Sequence, residues 1–188
     1  MTEMVHPLFN TVPLVVGMVF LLAALLDFLY YRLPNKLFYV IFYLFPIYII
    51  LSFKFYLVSN YLVFVGSLLV GFGLFATALI GGGDAKLLAA VSLWVGWHNL
   101  VPFVLWMVIL GGVISGAYLL FPQRIYHLTA RLRHLIQKQS ILKKSIRFLV
   151  SDVDVIEEEV ISLQNKRMIP YGICIAGAGL IILVKGMM

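Results

Sequence analysis

The chain has 188 residues, of which 63% are hydrophobic and 12% charged, with mean hydropathy +1.04 and net charge +6. A soluble domain of that length is about half apolar and about a quarter charged, so the excess must face something other than water. The single cysteine, Cys174, excludes a disulfide framework and a Cys-based zinc site.

The opening "MTEMVHPLFN" lacks the basic stretch of a secretory signal, so the first apolar run is read as a retained span over residues 8–29. "YYRLPNK" (Tyr30–Lys36) then breaks the helix: Pro34 cannot continue it, and Asn35 suits the N-cap of the next. Span two covers 36–53. After a short hydrophilic turn comes span three, 59–79, with Gly66, Gly71, Gly73 and Ala76 available for close helix packing. Span four, 84–97, is short and starts at Asp84. Span five, 100–121, stops at Pro122, and span six covers 169–186. A hydrocarbon core of about 30 Å takes about 20 apolar helical residues, which sets this count of about six. The expected fold is an all-α, polytopic membrane protein forming one membrane-embedded domain over 1–188.

Charge sets the orientation. Of fourteen Lys and Arg, twelve fall after spans one, three and five: Arg32, Lys36, Lys86 and nine between Arg124 and Arg167. The positive-inside rule places these loops in the cytoplasm and both termini outside. The 122–167 loop opens with Ile125, Leu128, Leu132, Leu135, Leu142, Ile146 and Leu149 at helical spacing. Arg124, Arg131, Arg133, Lys138, Lys143, Lys144 and Arg147 lie between them, with no acid before Asp152. This is a basic amphipathic segment suited to anionic lipid headgroups. No nucleic-acid motif accompanies the positive charge.

Of eight acidic residues, Glu3 is external and five lie between Asp152 and Glu159. Asp27 and Asp84 remain, one ending span one and one opening span four, on the same side. Either alone could be a helix-end carboxylate, and Asp84 would meet its helix dipole favourably. As a pair at membrane depth they are functional candidates. Two carboxyls at hydrogen-bonding distance cannot easily both ionise and come to share a proton. The ionised one can take a proton from water while the other donates to a carbonyl oxygen, the chemistry of aspartic proteases. The chain offers no HExxH and no GxSxG, and His6, His98, His127 and His134 are scattered. Gly81, Gly82 and Gly83 would let the backbone approach an extended substrate, or simply form a helix–helix turn. Lys86 reads as an interfacial anchor. Two intramembrane acids would also suit a proton-coupled small-solute carrier, although no inverted repeat is visible. A catalytically silent scaffold would tolerate loss of either Asp.

"GGGDAK" resembles the GxGD signature of the membrane-embedded aspartyl proteases, which include prepilin peptidases, preflagellin peptidases and presenilins. "GGGDAKLLAAVSLWVG" is closer to the prepilin peptidases of the tight-adherence (Flp) pilus. "LLDFLYYRLPNKL" resembles the segment carrying that family's first aspartate, where Asp is followed by a basic residue and Pro-Asn, here Pro34 and Asn35. "RMIPYGICIAGAG" resembles its last-span signature. These ordered motifs span positions 25 to 179.

The resemblance implies an endopeptidase of the bacterial inner membrane, acting at the cytoplasmic face without metal or cofactor. Its substrate would be a prepilin: a membrane-inserted helix with a basic leader, cut after a glycine just before the helix. By position, Asp27 and Asp84 would be the catalytic pair and Gly81 and Gly83 the motif glycines. Pro170, Tyr171 and Gly172 would pack nearby, although Pro170 also suits a first helical turn. The larger bifunctional members carry a cytoplasmic domain with paired cysteines and N-methylate the product. This chain lacks those cysteines and has no room for that domain, so peptidase activity without methyltransferase activity is expected.

Overall fold

The computed structural model describes residues 5–31, 33–52, 57–138 and 170–187. Among these residues there are seven helices and no strand: α1 (Val5–Tyr30), α2 (Asn35–Ser52), α3 (Leu57–Ala76), α4 (Gly82–Val95), α5 (Leu100–Leu120), α6 (Pro122–Lys138) and α7 (Tyr171–Met187). Prolines mark three starts. Pro34 and Pro170 immediately precede α2 and α7, and Pro122 opens α6, where a fixed φ and a missing N–H cost nothing. Residues 139–169, with the acidic run and the rest of the predicted basic segment, lie outside the described residues, as do Glu3, Arg32 and Lys54.

Stretches Thr11–Tyr30, Val58–Ala76 and Leu100–Leu120 are long and apolar enough to cross a membrane, and α2 and α7 are shorter apolar helices. The chain is an all-helical, polytopic membrane protein. Its apolar surface fits that solvent: Met18, Ile50, Val58, Leu69 and Val113 are each more than 60% exposed.

The centre of the bundle is α4. Its 14 residues rise only about 21 Å, short of a lipid core, because it lies inside protein rather than in lipid. It packs on α2, α3, α5 and α7, and nine of its residues are buried. Small residues allow this crowding. A Cβ on Gly71 of α3 would lie 3.2 Å from Ala85, and one on Gly179 of α7 would run into Val91 of α4 and come within 3.1 Å of Phe20 of α1. Two side-chain hydrogen bonds fix the height of α4: Trp94 Nε1 donates to the Ile41 carbonyl (3.0 Å), and Asn60 Nδ2 donates to the Leu93 carbonyl (3.1 Å). The helix stops at Gly96, whose φ of 68° and ψ of 178° only glycine adopts freely.

Around this axis α1 and α5 both pack on α7, and α5 buries only Phe103 among the residues described. Helix α6 caps the end of the bundle formed by the close of α1 and α5. It turns Thr129 and Arg133 inward together with Ile125, Leu132 and Ile136. This departs from the pattern read in the sequence, where Arg133 belongs to the polar positions and Leu128 and Leu135 to the apolar stripe. The inward face is centred one residue further round. Arg133 is 7% exposed, with Nε bonded to the Thr129 carbonyl one turn back, while Leu128 and Leu135 are half-exposed.

Candidate active site

The two aspartates come from opposite helix ends at the same end of the bundle. Asp27 stands in the last turn of α1, 3% exposed. Asp84 is the third residue of α4 and is partly buried. The sequence builds the turn around each differently. After Asp27 the chain leaves α1 abruptly: Tyr31 takes φ 52°, a conformation costing about 1–3 kcal/mol in a bulky residue, and its N–H closes the last turn on the Asp27 carbonyl (2.9 Å). Before Asp84, Gly81 is extended, and its N–H donates back to Asp84 Oδ2 (3.3 Å). This is the reach-back half of a capping box, so Asp84 also stabilises its own helix start.

A third element joins them. The start of α7 brings a backbone N–H to Asp27. The Ile173 N–H donates to Asp27 Oδ2 (3.2 Å), and Gly172 lies directly against the same carboxyl. Asp84 lies near enough to interact electrostatically with Asp27. The close approach requires glycine: a Cβ on Gly172 would lie 2.7 Å from Asp27 Oδ2 and 2.9 Å from Leu33 Cδ1. The N-terminal ends of α4 and α7 thus lie by the two carboxyls, where their dipoles favour negative charge, while interaction between the aspartates opposes a second charge on the pair.

The remaining residues singled out in the sequence divide. Gly83 lies against Leu33, with 3.1 Å from a built Cβ to Leu33 Cβ. Lys86 Nζ donates to Asn35 Oδ1 (3.0 Å), tying the start of α2 to α4, so Asn35 serves this bond rather than the predicted cap. Pro34 lies beside them, lining the same small cleft. Pro170 is buried, whereas Tyr171 is 36% exposed. Leu33, Ile173, Tyr31 and Tyr118 went unnoticed in the sequence. Leu33 touches both Gly83 and Gly172, and the Tyr31 hydroxyl donates to that of Tyr118 (3.2 Å). Only the adjacency of Leu33 to Pro34 and of Ile173 to Gly172 could have pointed to the first two.

No curated protein and no solved structure matches the chain. Residues 14–116, more than half of the 188, match the type IV leader peptidase family, and the matched stretch contains Asp27, Leu33, Gly83 and Asp84. With that match running from α1 through both aspartates into α5, the chain belongs to the type IV leader peptidase family.

Proposed function

We propose that the chain is an aspartyl endopeptidase that removes the basic leader of Flp-type prepilins at the cytoplasmic face of the bacterial inner membrane, within a single domain spanning 1–188. The observation that carries this reading is the placement of Asp27 and Asp84 at one end of the bundle beside the start of α7, where the Ile173 N–H is bonded to Asp27 and Leu33 lies against both Gly172 and Gly83. One carboxylate takes a proton from water as the oxygen attacks the scissile carbonyl. The protonated partner donates to the carbonyl oxygen. Collapse of the tetrahedral intermediate expels the amine, which leaves protonated, and the pair is reset as a unit. Bonds from Ile173 and Gly81 orient the carboxyls before substrate arrives. The extended Gly81 offers a backbone edge against which a leader could lie.

The reading includes cleavage without N-methylation, since Cys174 is the chain's one cysteine and is buried. It also places α6 on anionic headgroups. Nothing observed favours the proton-coupled carrier, and the family match speaks for the peptidase.

The test is leader cleavage of a co-expressed Flp-type prepilin, followed by mobility shift and mass of the product's N-terminus. The Asn variants are informative because an amide oxygen can still accept from Ile173 or Gly81. Asp27→Asn and Asp84→Asn should each lose about a thousandfold or more in rate while staying folded. Cleavage persisting in either variant would sink the two-aspartate mechanism, and a methylated product would sink the single-activity reading.

A further inference from the structure

Helices α1 and α5 share α7 as a neighbour and make little direct contact with each other. Between them lies a cavity of about 410 Å³. Its α1 wall is Leu21, Ala24, Leu25 and Phe28, an i, i+3, i+4, i+7 stripe. Its α5 wall is Ile114, Ala117 and Tyr118, the same spacing. Stripes of this kind normally seat a neighbouring helix, and here two of them converge on unfilled space. Small residues on both walls, Ala24 and Ala117, allow a helix backbone to come close.

The groove leads to the candidate active site. Ile173 of α7 lines it, and the N–H of that residue is bonded to Asp27 Oδ2. Phe28 adjoins Asp27 in the chain. Ile125 of α6 and the Tyr31–Tyr118 hydroxyl contact lie at this end. The lining is otherwise aliphatic or aromatic, and the Tyr118 hydroxyl is engaged by Tyr31. A polar leader therefore finds no partners in it, whereas an apolar helix at membrane depth does.

We infer that the α1–α5 groove docks the apolar helix of the substrate, holding its junction with the leader at Asp27. This rests on the peptidase reading, whose substrate is a leader joined to such a helix. Docking here fixes the distance along the substrate at which the bond is cut, because the helix end stops where Ile173 and Asp27 begin.

The probe is a synthetic segment of basic leader, glycine and apolar helix, with a benzophenone side chain placed in turn along the helix. It is irradiated with the Asp84→Asn protein in nanodiscs, and adducts are mapped by mass spectrometry. Adducts should fall on Leu21–Phe28 and Ile114–Tyr118. Ala24→Trp and Ala117→Trp, which fill the groove, should reduce them by about tenfold or more and lower kcat/KM similarly in the Asp84 parent. Ile109→Trp, on the outward face of α5, should change neither. Adducts scattered over all lipid-facing helices, or unaffected by both Trp variants, would overturn the inference and leave the groove to lipid chains. Two outcomes separate the readings. Cleavage by the parent that is indifferent to the groove variants removes the groove and keeps the peptidase. Groove adducts with a probe that the parent never cuts remove the peptidase reading, and with it the substrate role of the groove, leaving a site that binds an apolar helix.

Discussion

At the scale of single residues, Gly172 holds the site together. A methyl group there would sit 2.7 Å from Asp27 Oδ2 and 2.8 Å from its Cγ, so either the carboxyl or the start of α7 must move. Displacing a reacting group by about 1 Å costs about a hundredfold in rate. Gly172→Ala should therefore lower kcat by about that factor, with KM little changed, in a steady-state cleavage assay. The added methyl also meets Leu33. Leu33→Ala combined with Gly172→Ala removes that second contact but not the first, so it should fail to restore the rate. Full activity in Gly172→Ala would mean that the α7 amide does not position Asp27. The aspartates themselves stood out in the sequence, since carboxylates between long uncharged runs are rare and costly. Their backbone partners did not. An N–H has no sequence signature, and Ile173 looks like any other apolar residue of its span.

At the scale of elements, the close crossings of α7 decide whether the site stays assembled, because α7 bridges α1, α4 and α5. Gly179 sits where its missing side chain is occupied by Val91 and Phe20, whereas Gly112 of α5 has open space around it. Gly179→Leu should overpack this crossing and destabilise the protein by about 1–3 kcal/mol, lowering the thermal midpoint in detergent and reducing cleavage with it. Gly112→Leu should leave both near the parent values. Equal effects of the two would mean that α7 can slide without loss. That the fold is helical and polytopic was legible, since hydropathy reports burial in lipid directly. The central place of α4 was not. Its apolar run is that of any short helix, and only packing from four sides distinguishes a helix buried in protein from one facing lipid.

At the scale of the whole molecule, α6 is the element that pairs an inward face with an exposed basic one. Its inward face is taken by Ile125, Thr129, Leu132, Arg133 and Ile136. Leu128 and Leu135 remain half-exposed, and next to them around the helix come Arg124, Arg131 and Lys138, all exposed. An apolar stripe bordered by long cations suits a membrane surface, with the leucines dipping in and the cations reaching headgroups. The sequence announced an amphipathic basic segment. It could not say which apolar residues would be spent on the bundle, because that depends on how α6 rotates against α1 and α5. If the remaining stripe rests on lipid, a polarity-sensitive fluorophore on Leu135→Cys should report an apolar setting in nanodiscs containing phosphatidylglycerol and a wetter one in phosphatidylcholine alone. Replacing Arg124, Arg131 and Lys138 with Gln should remove that difference, each cation contributing about 1 kcal/mol near an anionic surface. Raising salt should weaken the signal in the parent protein and leave the triple variant unmoved, since only the electrostatic part is screened. Identical emission in both lipids would mean that α6 is held by the bundle alone.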